Sequence, residues 1–197
     1  MPAAIVLLLV VILYRIFFGI TQSADFGGLH NFAPLAAVAL CGAVYLPRRL
    51  AVALPLLGLF VSDLVLNLVH YHLPLLTFEI VPRYVVLVLI SLMGLAMRNH
   101  ARLLPLLAVS FAGSVLFFGI TNTGSWIGDP GYAKTFAGWW QALTVGLPGY
   151  PPTWWFYRHT LMGDLFFTAI FAGIMGWKSK AAPAMSPVAA DFDRVRL

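Results

Sequence analysis

The chain has 197 residues, 61% of them hydrophobic and 10% charged, and its mean hydropathy is +0.90. Soluble domains average about 45–50% apolar and about 25% charged residues, so this composition excludes a water-soluble globular protein and points to an integral membrane protein. Twelve basic and seven acidic residues leave a net charge of +5, but the basic residues gather at the ends of apolar runs, a mark of membrane topology rather than of nucleic-acid binding.

Six apolar runs follow one another, which predicts an all-α bundle of six transmembrane helices in a single domain over residues 1–180. The first run, 3–20, lacks a charged leader and a small-residue cleavage site, so it reads as a retained helix. The second, 34–46, opens on Pro34, a residue suited to a first helical turn, and ends at Pro47-Arg48-Arg49. The others cover 50–70, 81–97, 103–120 and 160–177. Residues 132–147 hold an apolar stretch, 136–147, of only about 12 residues, too short to cross a hydrocarbon core of about 30 Å. They are expected to form an interfacial helix in a long outer loop, with Trp139 and Trp140 at headgroup depth. The Ala/Pro-rich end, 181–197, is expected to be a disordered cytoplasmic tail.

Orientation follows from Lys and Arg. With six spans, Arg48 and Arg49, Arg98 and Arg102, and Lys178 and Lys180 all fall on one side, which the positive-inside rule makes cytoplasmic. Both termini are then inside.

Ionisable side chains within spans are expensive and tend to face a cavity or one another. At 1.5 Å per residue, Arg15 and Asp63 lie about 18–20 Å from the inner ends of their helices. Asn67, Arg83, Asn122 and Asp164 also fall in the outer half. The inner half carries almost no polar side chains, so the expected shape is a pocket open to the outside above an apolar floor. Asp63, Asn67 and His70 are spaced i, i+4, i+7 and share one helix face. Asp63 reads either as the structural partner of Arg15 or as a ligand group. Asp164 reads as a pocket residue or as a partner of Arg158 or His159. Asn122 reads as a helix C-cap or as a ligand group, and Trp126 belongs to the Trp-rich outer loop.

His70-x-His72 with His30, His159 and Asp129 could collect a metal outside, but these residues are scattered over separate loops, and no metal or other cofactor is expected. The lone cysteine, Cys41, cannot form an intrachain disulfide. Phosphate-binding loops, zinc-protease motifs and nucleophile elbows are absent from the sequence, so no catalytic residue is assigned. Ala33, Ala37, Ala39 and Ala43 form a small-residue face on the second helix. Such a face allows close approach by another helix, either within the chain or on a partner.

The blocks Asn31-Phe-Ala-Pro-Leu-Ala-Ala-Val-Ala-Leu, Ser62-Asp63-Leu, Gly113-Ser-Val-Leu-Phe-Phe-Gly-Ile-Thr-Asn122, Ser125-Trp126 and Thr160-Leu-Met-Gly-Asp164-Leu-Phe-Phe-Thr together resemble an uncharacterised family of small bacterial inner-membrane proteins. That family is similar in architecture to the substrate-binding S-components of energy-coupling-factor (ECF) vitamin transporters. The resemblance implies a solute-binding subunit without an ATP site of its own, working beside a transmembrane coupling subunit and its ATPase subunits. A small molecule would enter from outside and be held by Arg15, Asp63, Asn67, His70, Arg83, Asn122, Trp126 and Asp164. The Ala face would dock the coupling subunit, although in S-components the Ala motif lies on the first helix. The competing reading is an accessory or structural membrane protein with no small ligand.

Overall fold

The computed structural model describes residues 2–21, 34–72 and 78–181. Among these the chain forms seven α-helices: α1 (Pro2–Thr21), α2 (Leu35–Tyr45), α3 (Ala53–Val65), α4 (Ile80–Ala96), α5 (Leu103–Gly128), α6 (Phe136–Leu143) and α7 (Thr153–Ala181). A π-helical turn, Leu66–Tyr71, prolongs α3, and a 3-10 turn, Arg98–His100, follows α4.

Helix α1 shows how the apolar runs are used. Ala4, Leu8, Val11 and Ile12 are buried, whereas Val6, Leu9, Val10, Leu13, Phe17 and Ile20 are exposed. Both sets recur every three to four residues, so one face meets the bundle and the opposite face, equally apolar, is left outside. Helix α4 repeats the pattern with Val81, Val85, Val88, Leu89 and Leu92 exposed. Exposed apolar stripes of this extent are unfavourable in water and suited to lipid. α1, α5 and α7 are each long and apolar enough to cross a bilayer, while α2, α3 and α4 are shorter apolar helices. The chain is thus a multi-pass membrane protein. On α7, Trp155 and Trp177 are separated by about 33 Å of helix, close to the hydrocarbon thickness between two aromatic belts.

Helices that pack together run both antiparallel and parallel. Ser110 meets Thr168 and Phe118 stacks on Tyr157, which makes α5 and α7 antiparallel. Gly113 approaches Ile90 and Gly124 approaches Pro82, so α4 and α5 are antiparallel as well. α1 and α3 run parallel, with Gly58 beside Ile12 and Gly19 beside Leu66. One end of the bundle therefore carries α6 and the Trp-rich segment. The other carries the positions of Arg48, Arg49, Arg98, Arg102, Lys178 and Lys180.

The centre of the bundle is α2. Its residues from Leu35 to Val44 are all buried, and it packs against α1, α3, α4, α5 and α7. An eleven-residue helix rises only about 16 Å. Apolar on all sides, it is suited to a protein interior rather than to a lipid-facing surface. Small residues bring its neighbours close. A methyl group on Gly94 of α4 would lie 2.6 Å from the Leu40 carbonyl oxygen and 2.8 Å from the Ala43 Cβ.

Several expected boundaries move. The helix expected to end at 120 continues to Gly128, and the helix expected to begin at 160 begins at Thr153. Within 132–147 the helical part is Phe136–Leu143. Of residues 181–197, expected to be a disordered tail, Ala181 is the last residue of α7, and 182–197 lie outside the described residues, as do Ala33 and His30.

Candidate functional site

Two polar clusters interrupt the apolar interior. The first is built around Asp63 on α3. Its Oδ1 accepts from an Arg15 Nη2 at 2.5 Å. Its Oδ2 accepts from the Tyr84 hydroxyl at 2.9 Å and from Arg83 Nη1 at 3.3 Å. Arg15 also donates to Ser62 Oγ, and the Ser62 hydroxyl donates to the Leu59 carbonyl at 2.7 Å. Three helices contribute: α1 brings Arg15, α3 brings Ser62 and Asp63, and α4 brings Arg83 and Tyr84. The Asp63 and Arg15 side chains are 9% and 11% exposed, against 29% for Arg83. The cluster is more deeply buried on the Arg15 side than on the Arg83 side.

The π turn begins three residues after Asp63. A turn of this kind widens the helix and shifts the register of the side chains that follow, and such turns recur at functional sites. It carries Asn67, which is half-buried, and closes on His72 in the left-handed conformation at φ 52°. The i, i+4, i+7 face expected for Asp63, Asn67 and His70 assumed an unbroken α-helix. The π turn begins before Asn67 and so breaks that periodicity. The His70 side chain lies outside the described residues.

The second cluster surrounds Asp164 on α7, which is fully buried. Its Oδ1 accepts from the backbone N–H of Ala37 at 3.0 Å, and the Ala36 amide and Ser114 hydroxyl adjoin the same carboxylate. Nearby, the Thr168 hydroxyl donates to Ser110 Oγ at 3.0 Å. α2 opens on Pro34, which provides no side-chain cap. Asp164 therefore supplies from another helix the acceptor that an N-cap residue would normally supply. At the other end of α2, Arg98 Nε donates to the Ala43 carbonyl at 2.8 Å and Nη2 to the Leu46 carbonyl at 2.5 Å. The buried helix thus has a carboxyl oxygen accepting at its N-terminus and a guanidinium donating at its C-terminus, so polar groups at both of its ends are satisfied from other parts of the chain.

Among the described residues Asp164 pairs with neither Arg158 nor His159, and its Oδ2 has no hydrogen-bond partner. Arg158 instead lies over the Trp155 ring at 4.3 Å, and His159 packs its ring on Trp155. The C-cap reading of Asn122 is also corrected. Asn122 lies inside α5, and its amide donates to the Phe118 carbonyl at 2.8 Å. Trp126 donates its indole N–H to the Ala133 carbonyl at 2.8 Å, so it holds the segment after α5. Ala37, Ala39 and Ala43 are buried between this chain's own helices and present no free surface for a partner to dock on.

The segment joining α5 to α7 is held by its own polar bonds. Lys134 Nζ donates to the Asp129 carbonyl at 2.7 Å and to the Trp126 carbonyl. Trp139 donates to Thr123 Oγ1 at 2.9 Å, and Thr135 caps α6 by accepting from Gly138. Burial, and then the charge of Asp129, raise the Tyr132 phenol above its ordinary range, so it stays neutral. Ser62, Tyr84, Ser114 and Arg98 were not named as site or capping residues from the sequence. Their only signal is a polar side chain within or beside an apolar run, and that says nothing about which partner it meets.

A profile of a family of unknown function, DUF6580, matches residues 1–185. The chain belongs to that family. No curated protein and no solved structure gives a significant match. Membership of DUF6580 agrees with the resemblance to an uncharacterised membrane family and carries no activity with it.

Proposed function

We propose that the chain is a solute-binding membrane subunit of a transporter, with its binding site at the Asp63 cluster. One observation carries this reading. Three helices bring two arginines, a carboxylate, a tyrosine and a serine together inside an otherwise apolar bundle, beside a π turn and less buried on the Arg83 side. Ionisable groups at membrane depth are costly, and their usual role is to line a path or pocket for a polar solute.

The proposal retains the six-pass topology, with α3 and α4 crossing beside α1, α5 and α7, the short α2 carrying the chain back through the interior of the bundle, and the basic end facing the cytoplasm. The less buried Arg83 side of the site then faces outward, on the same side as α6 and the Trp-rich segment. A binder alone can only equilibrate its ligand across its two exposures, so net transport draws on a separate energy-supplying subunit. This matches the resemblance to ECF S-components. Such a subunit would dock elsewhere than on the Ala face of α2.

The alternative is an accessory membrane protein without a ligand. It is favoured by the way Arg15 and Asp63 already satisfy each other. Native mass spectrometry of the chain, extracted in mild detergent, separates the two readings. The expected result is a retained non-lipid molecule in the wild type that is missing from a folded N67A/R83Q variant. Lipid alone on both proteins, with unchanged solute uptake in cells lacking the chain, would overturn the proposal.

A further inference from the structure

We infer that the solute bound at the Asp63 cluster carries an oxyanion, a carboxylate or a phosphate, and that Arg83 is the residue that takes it. The inference rests on the solute-binding reading above and follows from the balance of charges and donors.

Among the described residues the cluster holds two guanidinium groups and one carboxylate. Asp63 already accepts three hydrogen bonds, from Arg15 at Oδ1 and from Arg83 and Tyr84 at Oδ2, and its charge is opposed by two cations. Arg15 is engaged twice, by Asp63 and by Ser62. Arg83 uses a single N–H, at 3.3 Å, of the five that a guanidinium carries. Glu79, the residue before the start of α4, is exposed and, among the described residues, forms no ion pair with Arg83. What the cluster offers a ligand is therefore donors and one surplus positive charge. An ammonium group would find no free carboxylate and would meet two cations. An oxyanion would find an open guanidinium fork, which suits carboxylate and phosphate groups in bidentate geometry, and would bring the net charge of the cluster to neutrality.

A free solute and a lipid headgroup could both supply this chemistry, and the test separates them. The full chain is placed in phosphatidylcholine nanodiscs at constant ionic strength, and its Tm is read with sodium benzoate, sodium phosphate or benzylammonium chloride. A parallel set of discs contains phosphatidylglycerol. Benzoate or phosphate at about ten times its Kd is expected to raise Tm by about 3 °C. R83Q abolishes the rise, and R83K, which keeps the charge without the fork, retains part of it. Because R83K preserves the cation, it reports on the site even if R83Q folds poorly.

A rise with phosphatidylglycerol alone, lost in R83Q, keeps the oxyanion site but assigns it to lipid, and the solute-binding reading falls. A rise with benzylammonium alone, lost in D63N, overturns the oxyanion inference and leaves the solute-binding reading standing. Anion shifts that are equal in the wild type and R83Q, or no shift with any probe, overturn the inference outright.

Discussion

Replacing Asp164 with Ala would strip the acceptor from the Ala37 amide at the buried start of α2, where no water can replace it. Loss of a cap combined with a buried unpaired donor predicts a destabilisation of about 2–3 kcal/mol. D164N retains an acceptor oxygen for the Ala37 amide and should cost less, about 1 kcal/mol. Thermal unfolding of the three proteins in one detergent checks the order. Asp63 behaves differently because it neutralises cations. D63A would leave two guanidinium groups facing each other in an apolar bundle, and about 3–5 kcal/mol is expected from removing one partner of a buried pair. R83Q removes a group that is 29% exposed and should cost less than about 1 kcal/mol. A larger loss for R83Q than for D63A would contradict the assignment of Arg15–Asp63 as the structural core of the cluster. Of these side chains, the Arg15–Asp63 pairing was one of two readings open from the sequence, since both lie at similar depth in their apolar runs. The capping role of Asp164 was not legible, because an N-cap acceptor is normally sought next to the helix it caps, and this one comes from α7.

At the scale of the helices, the close approach of α2 and α4 depends on Gly94. G94A would drive a methyl group into the Leu40 carbonyl and the Ala43 side chain, and overpacking of this kind predicts a loss of about 1–3 kcal/mol. The side chain it meets is Ala43, so A43G should recover part of the loss, as a double-mutant cycle on Tm would show. The eight residues by which α5 runs on beyond Ile120 show why its end was placed too early. Thr-Asn-Thr-Gly-Ser reads as a cap and loop by polarity. In the bundle, Thr121, Asn122, Thr123 and Ser125 each direct a side chain to a carbonyl four residues back. Hydroxyl and amide groups satisfied on their own helix no longer compete with it, and the helix runs on to carry Trp126. The π turn after α3 was equally hidden, since Leu-Asn-Leu-Val-His-Tyr has no composition that distinguishes it from an α-helical run.

For the whole molecule, the charged end and the Trp-rich end make a topological prediction that cysteine labelling can check. Cys41 is completely buried and gives little background. Asn99 lies in the basic turn after α4, and Tyr150 lies before α7 with 73% of its surface exposed. In intact cells a membrane-impermeant maleimide should label Y150C and spare N99C, with both labelled once the membrane is permeabilised. Labelling of N99C alone in intact cells would invert the orientation and turn the Arg83 side of the cluster toward the cytoplasm.

Composition and the spacing of apolar residues determined by themselves that this is a helical membrane protein with its basic residues gathered at one end. Transfer from water to lipid is summed over whole segments, so it can be read from any stretch of about 20 residues without knowing its neighbours. Only the tertiary structure decided that the Ala-rich helix is the centre of the bundle rather than a docking face. The same holds for Asp164 and Arg98 clamping that helix at its two ends, and for Asp63 meeting a second arginine. Each of these rests on side chains between 20 and 127 residues apart in the chain. Their hydrogen bonds depend on distances of a few tenths of an ångström, which the packing of helices sets and which no local pattern of residues records.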